Sequence, residues 1–307
     1  MKCHLVQKAL SDKAASELAG TLLGASAYDV LVQESAAVRD VDGQLMLKYI
    51  QGAITEDLCL AAYSGLRNAA VLTENRGMAA GVIPSAIGAI ADVGRIGSRS
   101  RTRFRVAKKD GTLSNTTRAI VVHSGIVGYF DRSARAPYCR QTAYTAQQAA
   151  KYERALPFFQ AASRLFAEHV PERYAVQAEV VSVTSPAFVI PGTVFTTVTV
   201  NRNWQTAVHR DAGDLESGYG VMAVLDVGQY GGCYLCFPQY RFAVDMRRGG
   251  VCLADVHQWH GNTPFVRKRG RYERLSLVLY YRERMMECGS PAEELQRAKH
   301  RKRGDRL

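Results

Sequence analysis

The chain has 307 residues, of which 47% are hydrophobic and 22% are charged. This balance supplies enough apolar residues for a hydrophobic core and excludes a disordered polyelectrolyte. Lys and Arg number 40 against 28 Asp and Glu, which gives a formal net charge of +12. Such a surplus favours a polyanionic partner, nucleic acid first and an anionic membrane second, although many basic proteins bind neither.

The cysteines and the apolar segments bear on the compartment. Seven cysteines are scattered along the chain, and the first residues lack the apolar segment of a secretion signal. We therefore expect reduced thiols and an intracellular location, the host cytoplasm for a phage or bacterial protein and the nucleus for a eukaryotic one. The longest apolar stretch, residues 77–93, contains Pro84 and Asp92 and is too short for a bilayer. We expect no membrane partner, and no pattern indicates an obligate protein partner.

The residue pattern in the first half of the chain indicates mainly helices. Ser11 is a suitable N-cap, and Glu56 and Asp57 favour the dipole of a second helix by their place in its first turn. In chain order we predict a helix at 11–23, a strand at 45–50, a helix at 54–72 and one or two helices at 145–168.

An arginine-rich segment lies between these helices. Residues 95–105 contain five arginines in eleven positions, and interspersed Gly and Ser residues indicate a loop. Such a loop could lie along nucleic-acid phosphates. A solvated basic strand edge explains the pattern equally well.

After Pro171 the pattern changes to short runs of β-branched and aromatic residues separated by turns. We predict strands at 180–184, 193–200, 219–227, 232–238, 242–245, 250–254 and 275–281. Strands this closely spaced indicate a sandwich or a jelly roll, so we predict a mixed α+β fold that is mainly β. Ser290, followed by Pro and by Glu293, predicts a C-terminal helix that ends in the basic run 299–303, which we interpret as a solvated tail.

Two histidines and one aspartate form the strongest chemical pattern. His209 and Asp211 are two positions apart, so on extended backbone both side chains point to the same side. His260 follows after several predicted strands and supplies a third ligand. This set suits iron(II) and leaves three coordination positions open, because it offers nitrogen and oxygen but no thiolate. His257 is a competing ligand, and we favour His260 because a Gly-Asn pair follows it at a predicted strand end.

Arg274 and Ser276 open the strand after His260. Being two positions apart, they face one side of that strand and together can bind a carboxylate, the Arg through its planar fork and the Ser through its hydroxyl. The order His-x-Asp, His, Arg-x-Ser is that of 2-oxoglutarate oxygenases.

These segments resemble the TET/JBP family of DNA-modifying dioxygenases, including its phage and algal relatives. The resemblance covers residues 115–285 and is carried by residues 196–201, 209–214, 255–262 and 274–280, together with Gly231-Gly232 and Phe237-Pro238. Before residue 115 it is faint and rests on Asn75-Arg76-Gly77.

The resemblance implies a double-stranded β-helix, or jelly roll, braced by N-terminal helices. It implies a support region at 1–114, a dioxygenase core at 115–285 and a basic C-terminal helix or tail at 286–307. It also implies iron(II) held by His209, Asp211 and His260, with O₂ and 2-oxoglutarate as co-substrates. Arg274 and Ser276 would bind the distal carboxylate of 2-oxoglutarate, and DNA would be the partner.

One departure bears on the co-substrate. Animal TET proteins carry an arginine shortly before the first metal histidine for the second carboxylate of 2-oxoglutarate. Here Trp204 and Gln205 stand at about that place. An algal branch that resembles this pattern uses ascorbate, so ascorbate is the alternative co-substrate.

Asp214 is the candidate for substrate recognition, because in several relatives the residue five positions after the first metal histidine contacts the flipped base. An ionised Asp214 would accept a hydrogen bond from the amine of 5-methylcytosine, whereas a protonated one would donate to O4 of thymine. We favour oxidation of 5-methylcytosine to 5-hydroxymethylcytosine over oxidation of thymine to 5-hydroxymethyluracil. A turn-capping role for Asp214 is the simpler alternative.

Two other functions share parts of this pattern. A 2-oxoglutarate oxygenase that acts on protein would have the same fold and ligands. An inactive DNA-binding module would not require all three ligands, and their presence favours an enzyme.

Overall fold

The computed structural model describes residues 1–81, 90–94, 103–107, 113–118, 120–134 and 136–300. Most of the arginine-rich segment, residues 95–102, and the end of the basic run, residues 301–303, lie outside this part of the chain. A role for these arginines along phosphates therefore stays a prediction.

Six α-helices lie in the described part of the chain, and half of them begin at a side-chain cap. Ser11, Thr142 and Ser290 each accept a hydrogen bond from a first-turn backbone N–H, a donor with no partner inside the helix. Glu293 completes a capping box with Ser290, as the sequence predicts. The helices are α1 (Asp12–Glu17), α2 (Glu56–Leu66), α3 (Ala143–Gln147), α4 (Ala149–His169), α5 (Pro171–Ser182) and α6 (Pro291–Lys299). None of these described helices combines the length and the apolar character needed to cross a lipid bilayer.

Most of the described strands join one large mixed sheet. The strands are β1 (Lys2–Val6), β2 (Val30–Val32), β3 (Ala36–Asp40), β4 (Leu45–Ile50), β5 (Val71–Thr73), β6 (Ile90–Gly94), β7 (Arg103–Ala107), β8 (Leu113–Arg118), β9 (Val122–Phe130), β10 (Arg140–Gln141), β11 (Thr197–Arg202), β12 (Gly220–Val227), β13 (Tyr230–Gly232), β14 (Leu235–Phe237), β15 (Phe242–Val244), β16 (Val251–Ala254), β17 (Gly261–Asn262), β18 (Phe265–Arg267) and β19 (Glu273–Tyr280). The large sheet has the order β1-β3-β4-β16-β12-β19-β11-β9-β10, with β5 paired to β9. A second sheet has the order β17-β14-β15-β2, and β13-β18 and β6-β7-β8 form two smaller ones.

The large sheet is covered on both faces. In β12, Val221, Ala223 and Leu225 belong to a core shared with α2, α4 and α5, which we call the helical-side core. The alternate residues Met222 and Val224 belong to a second core shared with the small sheet β17-β14-β15-β2. Successive side chains of a strand point to opposite faces, so both sets become buried and β12 is apolar throughout. The fold is therefore mainly β with helices against one sheet face, as predicted.

The N-terminal strands are part of both sheets. β3 and β4 extend the large sheet beside β16, and β2 extends the small sheet beside β15. The first 114 residues thus contribute strands to the same sheets that carry the later segments.

Several predicted elements are confirmed and others are corrected. The strands predicted at 45–50, 219–227, 250–254 and 275–281 are present within two residues of the predicted bounds. The helices predicted at 11–23 and 54–72 are present but end at Glu17 and Leu66. Gly20, with φ of 77°, marks where the chain leaves the first helix.

The strand predicted at 180–184 is wrong, because residues up to Ser182 belong to α5. Val180 and Val181 pack against the helical-side core, and this burial outweighs the β preference of valine. The strand predicted at 193–200 begins only at Thr197.

A disulfide and a buried carboxylate hold the C-terminal helix α6 against the segment that contains Arg132 and Cys139. Contrary to the expectation of reduced thiols, Cys139 and Cys288 form a disulfide across 149 positions of sequence. Beside it, Glu294 of α6 is only 2% exposed. Its carboxylate accepts hydrogen bonds from the backbone N–H of Cys139 at 2.7 Å and of Gly289 at 2.9 Å, and it pairs with Arg132.

We expect Glu294→Ala to lower the free energy of unfolding by about 2–4 kcal/mol in urea titrations, because it leaves buried donors without an acceptor. Glu287→Ala is a matched control, since its ion pair with Arg284 is exposed and screened by solvent, so its loss should change stability little. Burial alone would raise the pKa of Glu294, but its hydrogen bonds with Arg132 and the two backbone N–H groups outweigh burial and lower it. This stabilisation is therefore complete above the unfolded pKa of about 4.3 and is lost as the pH falls through the lower folded value. Equal stability of the Ala variant and the parent protein would contradict this role.

Candidate metal centre

The two predicted histidine ligands are paired through their backbones. His209 and His260 form an isolated antiparallel bridge, in which each N–H donates to the carbonyl of the other at 2.9 Å. The bridge lies just before β17, so the segment of His209 continues the small sheet beyond its regular strands. Residues directly opposite in such a pair place their side chains on the same face.

The side chains of His209, Asp211 and His260 converge. One potential ligand atom of each lies within 4.8 Å of the other two. Nε2 of His209 is 3.4 Å from Oδ1 of Asp211, and the centroids of the two imidazole rings are 4.4 Å apart. The structure thus brings together the three residues predicted from the sequence.

The hydrogen bonds of the imidazoles suit metal binding. Nδ1 of His209 lies 2.8 Å from the carbonyl oxygen of Ala207, and Nδ1 of His260 lies 2.9 Å from that of Gln258. A carbonyl can only accept, so Nδ1 carries the proton and Nε2 keeps its lone pair for a metal. Two imidazole nitrogens and one carboxylate oxygen, with no thiolate, match the ligand preference of iron(II).

Electrostatics favour a neutral His260 and an ionised Asp211, whereas Asp211 makes His209 more basic. Burial and the neighbouring His209 lower the pKa of His260 to about 4, so His260 is neutral near pH 7. Burial would lower the pKa of His209, but its hydrogen bond and attraction to Asp211 outweigh burial and raise it. Burial would raise the pKa of Asp211, but the adjacent histidines reverse this and lower it, so Asp211 stays ionised.

His257 lies outside the cluster. Its Nδ1 is 3.3 Å from Oδ1 of Asp255, and that hydrogen bond raises the pKa of His257 in spite of burial. The structure thus places His260, and not His257, with His209 and Asp211, and the role of His260 as a ligand stays a prediction.

Arg274 and Ser276 lie on the sheet face that is turned towards the metal centre. They alternate along β19 with leucines of the helical-side core. Arg274 is 3% exposed, and its Nε has no hydrogen-bond partner among the described residues. A buried guanidinium with an unsatisfied donor is suited to bind an anion, as the sequence pattern predicts.

Asp214 lies beside the cluster, at a backbone bridge to Arg282. Burial, and next the negative charge of Asp211, raise the pKa of Asp214 well above its usual value, with Arg282 opposing. No residue of the described part of the chain forms a hydrogen bond with the Asp214 carboxyl, so the simpler role as a turn cap has no support there.

One side-chain contact next to the ligands was not predicted from the sequence. Cζ of Arg210 lies 4.6 Å from the ring centroid of Trp259, a cation–π contact. Arg210 stands between two ligands in sequence and Trp259 directly precedes the third. The contact therefore links the two segments that carry the metal ligands. Alternation along an extended chain predicts that the side chain of Arg210 points away from those of His209 and Asp211. It does not predict which residue Arg210 contacts.

Replacing His209, Asp211 or His260 with Ala removes a ligand, and we expect cobalt(II) affinity to fall by more than about a hundredfold. Calorimetric titration of the purified chain measures this. His257→Ala is the matched control and should keep its affinity within about tenfold. Loss of binding in His257→Ala with retention in His260→Ala would show that the ligand assignment is wrong.

Arg210→Ala should weaken cobalt(II) affinity by about two- to fivefold, the equivalent of one partly exposed cation–π contact, and Arg210→Lys should lose less. Arg67→Ala is the control, because Arg67 makes such a contact with Tyr63 away from the metal centre. In a Trp259→Leu background, Arg210→Ala should have no further effect. An undiminished effect there would show that Arg210 acts without the ring.

Comparison with known proteins places this centre in a family. Residues 125–283, just over half of the chain, match the Tet_JBP family, described as the oxygenase domain of the 2OGFeDO superfamily. The chain is 29% identical over 275 residues to the bifunctional helicase and thymine dioxygenase JBP2 of Leishmania tarentolae, covering 88% of this chain and 21% of that protein. It is 35% identical over 188 residues to thymine dioxygenase JBP1 of Trypanosoma brucei brucei, covering 60% of this chain and 21% of that protein.

The chain thus spans about a fifth of the length of these curated relatives. Among solved structures, NgTET1 in complex with 5mC DNA aligns over 95% of this chain and 100% of that chain, with a TM-score of 0.56 and 13% identity. At that identity the likeness concerns the fold. The sequence match over the residues that carry the metal centre shows that this chain belongs to the TET/JBP family, as an oxygenase domain of the 2OGFeDO superfamily.

Proposed function

We propose that this domain hydroxylates the 5-methyl group of a pyrimidine in DNA, with iron(II), O₂ and 2-oxoglutarate. The observation that carries the proposal is the convergence of His209, Asp211 and His260. The buried Arg274, whose Nε has no partner among the described residues, supports it. The names of the sequence relatives and of the structural neighbour support DNA as the substrate. We also propose that the two main sheets form the double-stranded β-helix that the family resemblance implies.

A methyl C–H bond is unreactive, and iron(II) with O₂ and 2-oxoglutarate supplies an oxidant strong enough for it. His209, Asp211 and His260 would hold the iron and leave three positions open. Arg274 and Ser276 would bind the distal carboxylate of 2-oxoglutarate. Ascorbate is the weaker candidate, because it lacks a carboxylate for this arginine.

His260 is buried and His209 and Asp211 are partly exposed, and we infer that a base stacked within a duplex would not reach this centre. The base must leave the stack, at a cost of a few kcal/mol. The net charge of +12 would stabilise the flanking phosphates.

The choice of base depends on Asp214. The sequence-based preference for 5-methylcytosine requires an ionised carboxylate that accepts from the exocyclic amine. The raised pKa of Asp214 instead favours the acid, which donates to O4 of thymine. The sequence relatives are named thymine dioxygenases, which supports the same base, whereas the DNA of the structural neighbour contains 5-methylcytosine. Thymine is therefore a second candidate substrate, favoured by the raised pKa of Asp214 and by the names of the sequence relatives.

Mass spectrometry of nucleosides after incubation with iron(II), 2-oxoglutarate and DNA tests the proposal. We expect 5-hydroxymethyluracil from thymine or 5-hydroxymethylcytosine from 5-methylcytosine, and none from the His209→Ala variant. If a protonated Asp214 selects thymine, activity should fall as the pH rises through its pKa. Asp214→Asn keeps a donor at every pH and should abolish that dependence. Neither product on either DNA would overturn the proposed function.

A further inference from the structure

The turn between β18 and β19 carries positive charge that no neighbouring acid balances. Residues 267–271 read Arg-Lys-Arg-Gly-Arg, and all five are exposed. We call them the basic turn. Its four cations equal a third of the formal net charge of +12, and none of them forms an ion pair within the described part of the chain. Four like charges this close repel one another in the free protein, so a polyanion that binds there relieves the repulsion.

The acidic residue nearest in sequence already has partners. Glu273 opens β19, two positions after the basic turn. Its carboxylate accepts a hydrogen bond from the hydroxyl of Tyr63 at 2.8 Å and pairs with Arg67 at 3.2 Å. Tyr63 lies in α2 and Arg67 is the C-cap of that helix. Glu273 therefore joins β19 to α2 and does not neutralise the basic turn.

One cation of the basic turn borders a cavity of about 370 Å³, which has room for a phosphate group. The carboxylates that line this cavity with Lys268 are occupied. Glu56 pairs with Arg248 at 3.1 Å, and Asp226 accepts a hydrogen bond from the hydroxyl of Tyr230 at 2.8 Å. The lining is completed by Gly228, Gln229 and Arg247. Among the described residues Lys268 has no carboxylate partner, so it can meet an anion at this edge of the turn.

Packed aromatic rings hold the basic turn in place. Phe265 of β18 and Tyr272, which directly follows the turn, pack against each other and against Tyr230 of β13, the strand that pairs with β18. The three ring centroids lie 5.4–5.8 Å apart. At the tip, Gly270 has a φ of 93°, which favours glycine. The cations are thus presented on an ordered turn, which lowers the entropic cost of binding.

The basic turn lies at the opposite end of β19 from the predicted base contact Asp214. It precedes Glu273, the first residue of β19, whereas Arg282, which is bridged to Asp214, follows the last. The eight residues of β19 span about 23 Å at about 3.3 Å per step. In B-form DNA that length corresponds to about seven base pairs at about 3.4 Å each. A duplex with one base at Asp214 is therefore long enough to place other phosphates at the turn.

We propose that the basic turn is a second DNA-binding surface, which contacts backbone phosphates about seven base pairs away from the flipped base. The inference rests on the proposed function for its partner, DNA. Unpaired cations on an exposed turn recognise charge and read no sequence, so the contact is the same for every sequence. Its consequence is that the protein stays on the duplex when no base is flipped.

Anisotropy of a labelled duplex of about 24 base pairs, titrated with the full chain at several salt concentrations, tests this surface. We expect Lys268→Gln with Arg269→Gln to weaken binding by roughly tenfold to a hundredfold at about 0.1 M salt, because two phosphate contacts are lost. The slope of log affinity against log salt should fall in size by about two. The loss should be equal for thymine and for uracil duplexes, since the contact is to phosphates and not to the methyl group.

Two further variants separate this surface from overall charge and from misfolding. Arg154→Gln with Arg164→Gln removes the same charge from exposed positions of α4 and should change the salt slope by less than about 0.5. Lys268→Arg with Arg269→Lys keeps the charge and should bind DNA as the parent protein does. Cobalt(II) affinity should be unchanged in all three variants, which shows that the metal centre is intact.

The outcomes distinguish this inference from the proposed function. An equal loss in the α4 control would show a general charge effect and overturn the inference, and so would unchanged DNA affinity in the turn variant. Reduced binding to phosphatidylserine vesicles with unchanged DNA affinity would assign the turn to an anionic membrane and overturn it too. DNA binding that depends on the turn, without hydroxylation of any base, would overturn the proposed function and leave this inference supported. Hydroxylation of DNA with an unchanged salt slope would overturn the inference alone.

Discussion

Two backbone hydrogen bonds between His209 and His260 are the interaction on which the metal centre depends. They join segments that lie far apart in sequence and place both imidazoles on one face, with ring centroids 4.4 Å apart. Asp211, two positions on, then reaches the same point. The backbone carbonyls of Ala207 and Gln258 orient the rings, and one potential ligand atom of each ring lies within 4.8 Å of the Asp211 carboxylate.

The large sheet carries Arg274 and Ser276, the residues predicted to bind the co-substrate. Because the sheet is covered on both faces, alternate residues of one strand contact different parts of the protein. In β19, Leu275 and Leu277 pack against the helices, while Arg274 and Ser276 face the metal side. A one-residue slip in register would exchange these sets and turn the leucines to the face that Arg274 and Ser276 occupy. The hydrophobic packing of the helices is thus what holds Arg274 in place.

Two aspartates near the metal have opposite electrostatic environments. Neighbouring histidines lower the pKa of Asp211, whereas loss of solvation and the negative charge of Asp211 raise the pKa of Asp214. Carboxyl groups whose environments separate their pKa values are suited to different tasks. The carboxylate with the lowered pKa is suited to hold a metal, and the group with the raised pKa takes up a proton, and so becomes a hydrogen-bond donor, more readily than a free aspartate.

The sequence by itself predicted the His209 and Asp211 pair, the Arg274 and Ser276 pair and most strands after residue 219, because each depends on local spacing. Alternation places His209 beside Asp211 whatever the rest of the chain does. Only the tertiary structure placed His260, and not His257, beside His209 and Asp211 and joined Cys139 to Cys288. These depend on contacts between distant segments, which no local period encodes. The same reason explains the error at residues 180–184, where packing against the core outweighs the β preference of the valines.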